Sequence, residues 1–84
     1  MPKLLRVRIL SPQSTIYQGQ AVSVTSTNSQ GKFDILAEHA NFITIVKNQP
    51  IIVATGSKPA TLTFTFPLAI IYNFSNLVNI YTGI

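Results

Sequence analysis

TLTFTF, Thr61 to Phe66, is the most regularly alternating stretch of the chain. Leu62, Phe64 and Phe66 fall on one side of an extended backbone and Thr61, Thr63 and Thr65 on the other, because successive side chains of a strand point to opposite faces. The stretch therefore reads as a half-buried strand, with an apolar row turned inward and hydroxyls turned to water. The same two-residue period is present in KLLRVRIL, where Leu5, Val7 and Ile9 oppose Arg6 and Arg8, and in AVSVTS, where Val22 and Val24 oppose Ser23 and Thr25. No window of comparable length keeps a period of about 3.6 residues. Ile, Val, Thr, Phe and Tyr, which favour strands, recur throughout, whereas Ala, Glu, Lys and Arg are sparse.

Turn-forming clusters separate these runs: SPQS at Ser11–Ser14, TNSQG at Thr27–Gly31, KNQP at Lys47–Pro50, GSKP at Gly56–Pro59 and FSN at Phe74–Asn76. Short strands between regular turns predict an all-β fold, an antiparallel β-sandwich or flattened barrel, as a single domain over residues 1–84. Pro67 cannot donate to a ladder, so a bend, a bulge or an edge position is expected where TLTFTF ends. There is no internal repeat and no linker.

Cysteine is absent, which excludes a disulfide framework, a thiolate metal site and a cysteine nucleophile. Hydrophobic residues make up 46% of the 84 and charged residues 10%. That is apolar for so small a chain, and part of the apolar surface is expected to meet a partner. No run approaches the ~18 to 20 continuous apolar residues that cross a bilayer as a helix, so no direct insertion into the membrane is expected. MPKLLRVRIL has neither the apolar run nor the cleavage site of a leader, which points to a compartment reached without one, most simply the bacterial cytoplasm. The net charge is +4, with Lys3, Arg6 and Arg8 all near the start. This row reads as the solvated face of an edge strand or as a site for acidic partners.

QGKFDILAEHANF, Gln30 to Phe42, holds the only acids, Asp34 and Glu38, and the only histidine, His39. On a strand Glu38 and His39 point to opposite faces, which opposes one convergent catalytic site built from all three. One histidine without cysteine cannot supply the three or four ligands of a zinc site. No phosphate-cradling loop and no nucleophile elbow is present. The expectation is no catalytic residue, no cofactor and no metal. GKFDIL bears a weak likeness to the aromatic strand motifs of single-stranded RNA binders, and the net charge has the right sign. A small β-barrel module binding single-stranded nucleic acid is therefore the alternative. It is disfavoured because Phe64 and Phe66 read as core and Tyr17, Tyr72 and Tyr81 have no Lys or Arg beside them.

ILSPQSTIYQGQAVSVTS, with Ser11-Pro12, Ile16-Tyr17, Gly19, Val22 and Val24, together with GKFDILAEHANF, with Gly31, Phe33, Ile35, Leu36, His39 and Ala40, resembles one family. It is the epsilon subunit of the bacterial and chloroplast rotary ATP synthase, called delta in mitochondria. SNLVNIYT is similar to the family's closing strand through Asn76, Val78 and Ile80. Four places depart from the pattern: Asp34 replaces a glycine, Ala37-Glu38 a proline and glycine, Asn41 a proline, and Pro67-Leu68-Ala69 a serine and two glycines. Side chains resist positive φ, so turn geometry is at stake there.

The resemblance implies a β-sandwich without the family's C-terminal helical hairpin, since the sequence stops at Ile84. It also implies a non-catalytic rotor subunit of a proton- or sodium-translocating F-type ATP synthase. Its partners would be the gamma subunit and the polar loops of the c-ring, in a hetero-oligomeric complex. Its place would be peripheral, on the cytoplasmic face of the bacterial inner membrane or the equivalent organelle face. Nucleic acid would not be a partner. By the same resemblance Gln30, Gly31 and Lys32 face the ring, while His39, Ala40, Asn41 and Phe42 lie where gamma meets it.

Overall fold

The computed structural model describes residues 3–58 and 60–83, so Pro59 of the expected GSKP turn lies outside the described residues. Among the described residues the chain forms strands and no helix. The strands are β1 (Leu5–Leu10), β2 (Thr15–Ala21), β3 (Ser23–Asn28), β4 (Gly31–Leu36), β5 (Phe42–Val46), β6 (Pro50–Ala54), β7 (Thr61–Thr65), β8 (Ala69–Phe74) and β9 (Leu77–Thr82). A five-stranded sheet in the order β2-β1-β9-β8-β5 packs on a four-stranded sheet in the order β4-β3-β6-β7. The all-β sandwich is thus as expected, with one difference from a purely antiparallel design: β1 and β9 run parallel.

Period-two patterning builds the core from both sheets. On the inner face of the larger sheet Leu5, Val7 and Ile9 stand opposite Ala21, Gly19 and Tyr17 of β2. Val78 and Ile80 of β9 and Ile71 of β8 continue the layer, and Val24, Ile35, Ile51 and Val53 face them from the smaller sheet, all fully buried. β-branched aliphatics therefore fill the centre. The aromatics close the two open sides. Tyr17 meets Phe64 at 5.5 Å where β2 lies over β7, and Phe33 meets Phe42 at 5.8 Å where β4 lies under β5. A ring spans a gap of about 10 Å between sheets that a valine cannot. Gly19 serves the first pair, since a Cβ there would stand 2.6 Å from the Tyr17 hydroxyl oxygen.

TLTFTF forms the edge strand β7, with Leu62 and Phe64 partly buried against the core and Thr61, Thr63 and Thr65 exposed. Phe66 lies just past the strand, stacked on Phe64, and Pro67 occupies the bend that follows. Two expectations need correction. Val22 does not share the inner row with Val24 but is exposed, because the chain passes there from one sheet to the other. Ala21 and Val24, three residues apart, both point inward, so the alternation shifts by one. The β1 strand is not an edge either, since it lies between β2 and β9.

The departures from the family pattern are absorbed differently. Asp34 lies in regular β4 and accepts a hydrogen bond from the Thr25 hydroxyl of the neighbouring β3. Ala69 opens β8, buried. Glu38 adopts the left-handed conformation that the replaced glycine would have made easy, with φ 67°.

Candidate functional site

The residues expected to touch partners fall into two groups. Gln30, Gly31 and Lys32 form the tip of the β3–β4 hairpin, all exposed, with Ser29 and Gln30 as the turn. Asn28 holds this tip in shape: its Oδ1 accepts from the Gln30 N–H at 2.8 Å and its Nδ2 donates to the Thr44 hydroxyl of β5 at 3.0 Å. Gly31 has φ 124°, open only to a residue without Cβ.

His39, Ala40 and Asn41 lie in the β4–β5 loop at the other end of β4, and all three are exposed. From Gly31 to Leu36 the strand runs five steps, roughly 17 Å at ~3.3 Å per residue. The two groups are therefore separate surfaces. The loop is bound to the β8–β9 turn, where Ser75 and Asn76 both have positive φ, the arrangement of a type I′ hairpin turn. The Asn76 Oδ1 accepts from the Glu38 N–H at 2.7 Å, and the Asn41 Oδ1 from the Ser75 N–H at 3.0 Å. Buried Asn73 of β8 donates from Nδ2 to the Ala40 carbonyl at 3.0 Å. Glu38 pairs with Lys3, and the hydrogen bond and charge of that ammonium hold the carboxyl below its ordinary range. The same contact raises the Lys3 pKa. Phe42, expected by the resemblance where gamma meets the ring, is partly buried against the core, edge-on to Phe33 and 5.0 Å from the His39 ring.

A third surface escaped the sequence reading. The outer face of the five-stranded sheet carries Ile43 and Ile45 of β5, Ile70, Tyr72 and Phe74 of β8, and Tyr81 of β9, adjoining one another through the pairs Ile43↔Tyr72, Ile45↔Ile70 and Ile70↔Tyr81. Ile43 is 63% exposed and Phe74 50%. The rings of Tyr72 and Phe74 lie nearly parallel, 6.4 Å apart. The signal was present in FITIV and AIIYNF, which are apolar at both parities of the strand period; such strands have two faces to cover. Among the described residues no cluster of three or more His, Cys, Asp or Glu side chains forms, and no helix is long and apolar enough to cross a membrane.

Comparison with known proteins gives concordant results. Residues 4–80 match the family model described as ATP synthase, Delta/Epsilon chain, beta-sandwich domain. An ATP synthase epsilon chain from Sulfurimonas denitrificans is 44% identical over 43 residues, which cover 51% of this chain and 33% of that relative. One from Campylobacter jejuni subsp. doylei is 38% identical over 48 residues, or 57% of this chain and 37% of the relative. These matches therefore span about a third of the relatives' length. Among solved structures, a chain of the Euglena gracilis mitochondrial ATP synthase, in an assembly of OSCP, F1 and c-ring, superposes with TM-score 0.83. It is 15% identical, with 98% of this chain and 52% of that one covered, a likeness of fold. A family match over nearly the whole sandwich, on strands whose inner rows form its core, places the chain in the family of ATP synthase delta/epsilon chain β-sandwich domains.

Proposed function

We propose that this chain, as one sandwich over residues 1–84, is a non-catalytic central-stalk subunit of an F-type ATP synthase. It joins the gamma subunit to the c-ring and helps to couple the flow of protons or sodium ions to ATP synthesis. The observation that carries this reading is the family match over residues 4–80. The fold likeness to chains in assemblies that include a c-ring supports it.

The two ends of β4 suit different neighbours. The Gln30–Lys32 tip is short, polar and braced by Asn28, and it meets the polar loops of the c-ring. The His39–Asn41 loop, fastened to the β8–β9 turn through Asn41, Asn73 and Asn76, meets gamma where it stands on the ring. Phe42 supports that loop from beneath. A joint that transmits torque needs contact loops held to the sheets, and these side chains hold them. The complex is peripheral, on the cytoplasmic face of the bacterial inner membrane or the equivalent organelle face.

Co-purification of the tagged chain with gamma and the c-ring tests the reading. A stoichiometric complex is expected, and Lys32→Glu should change its salt dependence more than its affinity, as a rim charge does. Absence of any complex with gamma, together with binding to a single-stranded RNA oligonucleotide, would overturn it. The aromatic of GKFDIL is not offered to bases, since Phe33 packs on Phe42.

A further inference from the structure

We propose that β5 is a dimerisation edge: it pairs antiparallel with β5 of a second copy of this chain, about a two-fold axis at Thr44, and joins two five-stranded sheets into one. The inference goes beyond the stalk-subunit reading and does not depend on it. Three observations carry it.

The first is the open state of the edge. β5 pairs with β8 on one side, and among the described residues no backbone hydrogen bond leaves its other side. About half of the N–H and C=O groups of such a strand point away from its single neighbour and form a template for another strand. A cleft of about 410 Å³ opens beside Ile43, Thr44 and Ile45, bordered by Ser29 and Ile70.

The second is the absence of any guard. Edge strands are normally protected by charge, proline or a bulge. β4 carries Lys32 and Asp34, β2 contains Gly19 and slips register against β1 at Ile9/Leu10, and β7 turns only threonines to water. FITIV, the sequence of β5, has no charge, proline or glycine, and its outward side chains Ile43 and Ile45 are both more than half exposed. Pairing at this edge therefore brings apolar surface together as well as satisfying the backbone.

The third is self-complementarity, which selects a second copy as the occupant. A two-fold axis at Thr44 sets Phe42 opposite Val46, Ile43 opposite Ile45 and Thr44 opposite Thr44. Each outward isoleucine then meets an isoleucine, a favourable cross-strand pair. Lys47 falls opposite Asn41, so the two Lys47 side chains stand six residues apart along the ladder, about 20 Å, well beyond the Debye length of ~8 Å at physiological salt. The pairing is isologous and closes on itself, so neither β5 is left to recruit a third chain.

The test uses the purified chain, which has no cysteine of its own. Ile43→Cys and Ile45→Cys chains are mixed and oxidised. Opposite positions lie ~4.5 to 5.5 Å apart between Cβ atoms, close to disulfide reach, whereas the diagonal pairs of Ile43 with Ile43 and Ile45 with Ile45 lie roughly 7 to 8 Å apart. A mixed disulfide several-fold more abundant than either homodimer is expected, with little from Phe74→Cys, which lies across β8 from the edge. One strand pair is a small interface, so reversible dimerisation of the wild type is expected by sedimentation equilibrium at high protein concentration. It should tighten with salt, because both copies carry +4. Ile45→Lys should weaken it by about tenfold or more and Ile45→Thr, which keeps the branched Cβ, by less. A wild-type chain that stays monomeric up to about 1 mM, or a dimer that Ile45→Lys leaves unchanged, would overturn the proposal. So would a Phe74→Cys homodimer that outweighs the mixed disulfide, since the sheets would then stack face to face. Each of these outcomes leaves the stalk reading intact.

Discussion

Replacing Phe42 by alanine should destabilise the isolated chain by about 2 to 3 kcal/mol, with no partner present. The ring stands at the start of β5, packed on the core beneath the loop, 5.8 Å from Phe33 at an interplanar angle of 89°. Covering the larger part of a phenyl group withdraws roughly 100 Å² of apolar area from water, which at about 25 cal/mol/Å² is worth ~2.5 kcal/mol. A compact unfolded ensemble lowers that by roughly 10 to 40%. Loss of the edge-to-face contact adds about 0.5 to 1.5 kcal/mol. The gap would open on the side of the sandwich, where water and neighbours can fill it, so the cost should stay at or below the ~3 to 5 kcal/mol of a fully enclosed phenylalanine. Phe74→Ala is the matched control: half exposed on the outer face and stacked on Tyr72, it should cost the free chain about 1 kcal/mol, less than half of the Phe42 loss. Urea titrations of both variants decide the matter. With a slope near ~1 kcal/mol per molar for so small a protein, the Phe42→Ala midpoint should fall by about 2 M and that of Phe74→Ala by about 1 M or less. Equal midpoints for the two variants, or a Phe42→Ala midpoint at the wild-type value, would refute the placement of the ring.

Gly31→Ala should cost more than about 1 kcal/mol in urea titrations because φ is 124°, although nothing lies within 4 Å of the added carbon; Lys32→Ala beside it should cost under about 0.5 kcal/mol in the same titrations. Asn76→Ala removes both a residue tolerant of φ 65° and the acceptor for the Glu38 N–H, for a loss of about 1 to 2 kcal/mol. Asn76→Gly should recover only the backbone share, as a denaturation series of the three proteins would show. The Glu38 carboxyl should titrate below the ordinary glutamate range by NMR, and Lys3→Met should return it there. Since its folded pKa is depressed, its small contribution to stability is present above the ordinary range and is lost as pH falls through the folded value. Lys3, raised in the folded chain, contributes below the ordinary lysine range and loses that contribution as pH rises through its own folded value. Both effects should shrink in high salt, because the pair is open to water.

Strand identity was legible because alternation is a property of the backbone alone. Leu62 with Phe64, and Leu5 with Val7 and Ile9, announced inner rows that the sandwich uses, and the break after TLTFTF lies at Pro67. Family membership was legible for a related reason: Gly19, Gly31 and the residues around His39 keep their spacing whatever the sheets do with them. Period-two reading could not say which of two apolar rows faces the core. Ile43 and Ile45 look as buried in FITIV as Phe42 and Val46 do, yet the first two are exposed. Nor could it foresee the shift at Val22, where the chain crosses between sheets, or the parallel neighbour that places β1 inside its sheet.

The candidate site divides along the same line. That Gln30, Gly31, Lys32, His39, Ala40 and Asn41 would face outward was expected from the family resemblance, whose motifs rest on spacing along the chain, and all six are exposed. That they form two surfaces at opposite ends of β4, and that Phe42 turns inward to Phe33, depended on which strands lie across from one another. The sequence by itself determined the strands, their turns and the family, because these rest on spacing along the chain. Only the tertiary structure decided the sheet order, the apolar outer face and its row of arginines. Those arise from contacts between residues far apart in sequence, and no local period records them.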